Sequence, residues 1–225
     1  MVTKIRIISL SLVQENVITM KVKRFLTVTA LFFLAWAAAA QTPEDILSHM
    51  EEVFDKHESE GLVMTMDVKI PILGTTSSQV YALGDKMRAE VSMMGVAIII
   101  WSDGVTEWEY NSKNNEVEIK KDKGSSENGD AELFGEISDG YDVSIKKETA
   151  DAWHLICRKS KTNTDKDAPK TIDLVVAKET YMPLSLSAKV SGFTMTMRDI
   201  RFGVTEEQVT FNAADYPGVK IIDKR

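Results

Sequence analysis

The stretch Ile98-Ile99-Ile100-Trp101-Ser102-Asp103-Gly104-Val105-Thr106-Glu107-Trp108-Glu109-Tyr110 decides the fold. An apolar strand runs into an Asp-Gly turn. A second strand leaves it with Trp108 and Tyr110 on one face and Glu107 and Glu109 on the other. Gly104 supplies the positive φ of a tight hairpin, and Asp103 bonds the backbone beside it. A polar turn, Asn111 to Asn115, then leads into Glu116-Val117-Glu118-Ile119-Lys120, which alternates again. The pattern predicts a meander with one greasy face and one charged face.

The same design extends outward in both directions. Leu62, Met64, Met66, Val68 and Ile70 alternate with Val63, Thr65, Asp67 and Lys69, and Pro71 and Gly74 break the run. After Gly84-Asp85, Met87, Ala89, Val91 and Met93 alternate with Lys86, Arg88, Glu90 and Ser92. Downstream, a polar loop over 121–130 precedes a short helical stretch predicted over Ala131 to Ser138. Strands follow around Tyr141-Val143-Ile145, Trp153-Leu155-Cys157, Ile172-Leu174-Val176 and Leu184 to Val190. Beyond Ser191-Gly192 the pattern runs through Phe193, Met195 and Met197 and then slips, so that Ile200 and Phe202 carry it on. A bulge near Arg198-Asp199 accounts for the slip. Val209 and Phe211 read as a last short strand, and Val219 to Ile222 as a tail or edge strand.

One helix is plain. Thr42-Pro43-Glu44-Asp45 gives a cap, a first-turn proline and two acids at the positive helix end. Ile46, Leu47, Met50, Val53 and Phe54 follow at helical spacing, and His57 and Gly61 mark the end. Eleven or twelve strand-like runs with one or two helices predict a mostly β fold: an antiparallel sheet curled into a half-open barrel, with a helical lid on its concave apolar face.

Composition bounds the class. With 225 residues, 44% hydrophobic and 27% charged, the chain accommodates one globular domain. Lys21, Lys23 and Arg24, the apolar run Phe25 to Trp36, and Ala38-x-Ala40 before Gln41 have the layout of a secretory signal. Residues 20–40 are thus expected to be removed, 1–19 to be an untranslated upstream stretch or a true extension, and 41–225 to be the domain. The domain is expected to be exported and soluble after cleavage near Ala40. A single cysteine excludes an internal disulfide. The formal net charge of −7 argues against a nucleic-acid partner.

No motif for catalysis stands out. The three histidines, at 49, 57 and 154, lack metal-ligand spacing with Cys157, and no phosphate loop or nucleophile elbow is present. Glu107, Glu109, Glu116 and Glu118 read as a solvated strand face rather than an acid/base pair. Cys157 reads as a buried small hydrophobe. No cofactor, metal or catalytic residue is expected. The informative feature is Met64, Met66, Met87, Met93, Met94, Met195 and Met197 in or beside strand patterns. Flexible, polarisable methionines fill a core or line a cavity for apolar ligands of variable shape, and the residues alone leave both open.

Ser102-Asp103-Gly104-Val105-Thr106-Glu107-Trp108-Glu109-Tyr110-Asn111 resembles the S-D-G-x-T-x-W-x-Y-[DN] hairpin of LolA-like outer-membrane lipoprotein carriers. The order of elements and the ending Phe211, Pro217-Gly218-Val219 and Asp223 are similar too, over 41–225. The resemblance implies a monomeric periplasmic carrier that takes acylated lipoproteins or lipids from an inner-membrane ABC-type release complex. It would pass them to an outer-membrane acceptor. The alternative is an envelope-stress sensor or scaffold that binds a partner protein. Where the family has a Lys-Arg-Pro run with a lid-latching Arg, this chain reads Leu83-Gly84-Asp85-Lys86-Met87-Arg88, with no Pro and with Arg88 displaced. On this reading the wall of an acyl- and lipid-binding cavity comprises Ile46, Leu47, Met50 and Phe54 on the helix. Its strand residues are Met64, Met66, Val68, Met87, Val91, Met93, Ile98, Ile100, Trp108 and Tyr110.

Overall fold

Twelve strands hydrogen-bond side by side in the computed structural model, which describes residues 41–72, 74–122, 137, 140–166 and 168–225. The expected signal segment and most of the helical stretch expected at 131–138 lie outside the described residues. Pro43–Arg225 form a unit of their own.

The unit opens with α1 (Pro43–His57), which has Glu44 and Asp45 in its first turn and Lys56 and His57 in its last, as the helix dipole favours. Its stripe of Ile46, Leu47, Met50 and Phe54 is buried. A 3-10 turn over Glu58–Glu60 ends at Gly61, whose φ of 68° and ψ of 168° suit only glycine. The strands are β1 (Leu62–Ile70), β2 (Gly74–Leu83), β3 (Lys86–Met93), β4 (Val96–Ser102), β5 (Thr106–Asn111) and β6 (Glu116–Lys121). They continue as β7 (Tyr141–Glu148), β8 (Ala152–Lys159), β9 (Thr171–Ala177), β10 (Pro183–Val190), β11 (Phe193–Phe202) and β12 (Lys220–Asp223).

Their spatial order is β12-β6-β5-β4-β3-β2-β1-β11-β10-β9-β8-β7. Neighbours are antiparallel except β12, which lies parallel to β6 at one edge. The curled sheet therefore has two free ends and is not closed into a barrel. The long-range closure is β1 on β11, where Met66 pairs with Met197 and Val68 with Met195. The phase slip in β11 is a bulge: the register shifts opposite Val63 to Thr65, and Asp199 takes a φ of 54°.

Each face of the sheet has its own cover. On the inner face, α1 packs against Leu62, Met64, Trp153, Leu155, Cys157, Ile172, Leu174, Val176, Leu186 and Ile200 in one apolar cluster. Aromatic contacts fasten the helix: Phe54 meets Phe202 edge-on at 5.3 Å, His57 stacks on Phe202 at 4.7 Å, and His49 stacks on Tyr181 at 4.7 Å. On the outer face lies the segment from Gly203 to Val219. It contains α2 (Glu206–Val209), closed by a capping box of Thr205 and Gln208, and a 3-10 turn over Ala213–Asp215. The strand expected at Val209–Phe211 does not form. Thr205 and Gln208 satisfy the helix start, and Val209 is buried against Val63 and Val204 instead of entering a ladder.

Candidate functional site: the inner apolar wall

Register assigns every strand residue to a face, because directly opposed residues share one. Starting from Met64, Met66 and Val68 on β1, the pairs Met64–Val80, Val80–Ala89 and Ala89–Ile100 carry the inner face across to β4. Val91 pairs with Ile98 and Met93 with Val96 on the same face. In the other direction Met197 pairs with Leu186, Leu186 with Leu174, and Leu174 with Leu155. One apolar wall thus runs from β4 to β8.

Helix α1 covers part of it. Ile46, Leu47, Met50, Phe54 and Met64 are buried together, with Met66 and Met87 packed against them. Val68, Val91, Ile98 and Ile100 share the face and are half-buried, while Met93 at the strand end is 52% exposed. The structure therefore brings twelve of the fourteen expected wall residues onto one surface. It adds Met195, Met197 and Phe202, which the sequence marked as apolar; the bulge at Asp199 brings Phe202 onto the face of Met195 and Met197.

Trp108 and Tyr110 do not belong to the wall. Trp108 pairs with Trp101 and Tyr110 with Ile99, which places both rings on the outer face. The residues that follow Ile98 and Ile100 on the inner face are Asn111 and Glu109. The reason is that β4 is apolar on both sides, as a strand buried on both faces must be. Its outward residue Trp101 collects the rings: Phe211 at 5.3 Å, Tyr216 at 5.6 Å, with Trp108 on Phe211 at 6.0 Å and Tyr110 on Tyr216 at 4.7 Å. Burial beneath this cover raises the Tyr216 phenol above its ordinary pKa.

The wall ends at a charged strip. Lys120 on β6 lies 2.7 Å from Glu109 and 3.3 Å from Glu118, and Lys224 also reaches Glu118. The bond to Glu109 raises the Lys120 pKa, and the bond from Lys224 lowers that of Glu118. This strip of paired charges lies at the solvent boundary, on the same face as the apolar wall. Cys157 lies inside the cluster under α1, and burial, with Asp173 nearby, pushes its thiol up to about 12. Among the described residues no group of three or more His, Cys, Asp or Glu could hold a metal.

Arg88 lies on the outer face, opposite Tyr81 and Trp101. Its guanidinium sits 5.7 Å and 5.5 Å from those two ring centroids, 2.6 Å from Glu90, and donates to the Gln208 carbonyl at 3.4 Å. It pins α2 to the sheet beside an open groove of about 760 Å³ lined by Glu206, Gln208, Phe211 and Asp215. An arginine on this side of the sheet is turned away from α1 and cannot latch it. The helix is held instead by Phe202 and Tyr181.

Among the described residues no helix is long and apolar enough to cross a membrane. No family model matches the sequence. No curated protein matches it either. Among solved structures, an uncharacterized conserved protein from Thermus thermophilus is 15% identical with a TM-score of 0.46, over 79% of this chain and 98% of that one. The Pseudomonas aeruginosa MucA/MucB complex is matched at 14% identity and a TM-score of 0.40, over 76% of this chain and 61% of that chain. A LolA superfamily protein from Nitrosomonas europaea is matched at 11% identity and a TM-score of 0.32, over 78% of this chain and 100% of that one.

Proposed function

We propose that this protein is an exported carrier that holds acyl chains of lipoproteins or lipids against the inner wall beside α1. Its route would run from an inner-membrane release complex to an outer-membrane acceptor. The observation that carries the reading is the mismatch between wall and lid. The apolar face runs from β4 to β8, whereas the residues fully buried with α1 lie on β1, β2 and β7 to β11. Met66, Val68, Met87, Val91, Ile98 and Ile100 remain half-buried. Each methylene laid against them contributes about 0.8 kcal/mol, so one acyl chain is held without a polar anchor. Flexible methionines at 66 and 87 accommodate chains of different shape. The ring contacts of α1 with Phe202 and Tyr181 are ones that a swinging helix can break and remake. No bond-making chemistry is required of the site, and the proposal is of a binding protein rather than an enzyme.

The test is to purify the protein from cells, extract it with organic solvent and identify what leaves by mass spectrometry, then to measure uptake of an acylated peptide. Lipid in the extract and uptake lost in an Ile98→Asp variant are the expected results. Protein that is always empty, takes up no acylated peptide and instead retains a partner protein through Ile98→Asp would replace carriage by the scaffold role.

A further inference from the structure

Three hairpins turn at the same end of the sheet. Gly74 of β2 pairs with Ile70 of β1, and Ser78 with Val91, so the β1–β2 and β3–β4 turns lie at one rim. Lys69 pairs with Thr194, and Val190 with Phe193, which brings the β10–β11 turn to that rim as well. These tips expose apolar side chains. Ile72 is fully exposed, Met94 is 96% exposed, and Met93 and Phe193 are 52% and 41% exposed.

The backbone at the tips is unusual. Ile72 has a φ of 73°, Met94 of 52° and Ser191 of 50°. L-residues avoid this region, and β-branched residues avoid it most. Two of the three tips thus combine a left-handed backbone with an apolar side chain in water.

The charges around the tips select the occupant. Lys69 and Lys189 flank Thr194 one step from the turns, on the strands to either side of β11, and both are exposed. The nearest acids on β1 and β3 are Asp67, bound by Arg198, and Glu90, bound by Arg88. The intervening positions are Thr75, Thr76, Ser77, Ser92 and Thr194. The chain as a whole carries −7, so two lysines without an ion pair among the described residues, beside apolar tips, are a local reversal of sign. Apolar side chains framed by hydroxyls and lysines match the headgroup layer of an anionic bilayer.

We propose that this rim docks on anionic membrane surfaces, with Ile72, Met94 and Phe193 entering the acyl boundary and Lys69 and Lys189 meeting lipid phosphates. Docking stands on the rim alone. If the inner wall carries acyl chains, docking also gives them a dry entry, because Met93, Val96 and Phe193 continue the wall to the tips.

The experiment uses the full chain with a single environment-sensitive fluorophore on Met94→Cys. Cys157 is buried and stays unlabelled. The control label is on Val105→Cys, an equally apolar residue, 73% exposed, in the β4–β5 turn at the opposite rim. The probes are vesicles of phosphatidylglycerol with phosphatidylcholine, and of phosphatidylcholine alone. A blue shift at 94 with the anionic vesicles and none at 105 is expected. Lys69→Glu with Lys189→Glu should weaken that response about 30-fold, from a factor of about five per lysine near an anionic surface. Equal responses at 94 and 105, no response at 94, or one indifferent to charge reversal would overturn the proposal. Extracted lipid with a silent label would remove docking and leave carriage; a responding label on protein that never holds lipid would do the reverse.

Discussion

Trp101 and Trp108 stand directly opposite each other across the β4–β5 hairpin, on the side of the sheet turned away from α1. That pairing divides the molecule into two apolar layers. The inner layer is covered in part by α1. The outer layer is closed by the protein's own tail, through Phe211 and Tyr216.

The outer layer is structural, so its loss should separate stability from binding. Phe211→Ala removes a ring that touches Trp101, Trp108 and Tyr216. A destabilisation of about 1–2 kcal/mol in urea titrations is expected for this half-buried ring, with uptake of acylated peptide by the folded fraction unchanged. Reduced uptake at full folding would assign the outer face a part in binding.

Beneath the lid the reverse should hold by degree. Met50→Ala empties a fully buried site and should cost about 2–5 kcal/mol. Met66→Ala, half-buried on the open wall, should cost less than about 1.5 kcal/mol and weaken ligand uptake more than it weakens the fold. Equal destabilisation by both would mean that the wall beyond α1 is packed as tightly as the core.

Gly61 is the most constrained glycine at the start of the sheet. A Cβ there would lie 2.5 Å from the Ala82 carbonyl oxygen and 2.9 Å from Val204 Cβ, at a φ of +68°. Gly61→Ala should therefore destabilise by about 3 kcal/mol or more, combining backbone strain with a clash against main chain. Gly74→Ala, also at positive φ but with nothing within 4 Å, should lose only about 1 kcal/mol. Thermal unfolding of the two variants compares them directly.

Acid should act through Asp67. Its carboxylate lies 2.7 Å from Arg198 Nε and accepts from Ser77, tying β1 to β11 and β2, and these bonds hold its pKa below the ordinary 3.8. The depressed folded-state value means that the contribution is present above that ordinary value. It is lost as pH falls through the folded one. The pair is partly in solvent, so the contribution is no more than about 1 kcal/mol. Asp67→Asn should lower stability by that amount at neutral pH and leave it unchanged at the acid end; a constant difference at all pH values would contradict this.

Alkali should act through Cys157. Its folded-state pKa of about 12 exceeds the ordinary 9.0. The unfolded chain therefore ionises first, and stability falls as pH rises from about 9 towards 12. Cys157→Ala should flatten that limb. The native thiol should resist a disulfide reagent at neutral pH and react at once in denaturant.

The ladder strands, their turns and α1 follow from the sequence alone, the strand expected at Val209–Phe211 excepted. Period-two alternation cannot be satisfied by a helix, Gly104 and Gly61 fit only their turns, and the stripe Ile46-Leu47-Met50-Phe54 fits only a helix. Even the bulge at Asp199 is written as a phase slip. Alternation, however, says that two residues share a face and not which face it is. For Trp108 and Tyr110 the answer came from register: the turn sets Ser102 opposite Glu107, so Trp101 meets Trp108 and Ile100 meets Glu109. The continuous apolar run of β4 was the available sign that both faces there are covered. What covers the outer one, a short capped helix and two rings from residues 203–219, and why Arg88 binds there instead of latching α1, depend on contacts between segments more than a hundred residues apart. Local pattern carries no information about such contacts, and only the tertiary structure decides them.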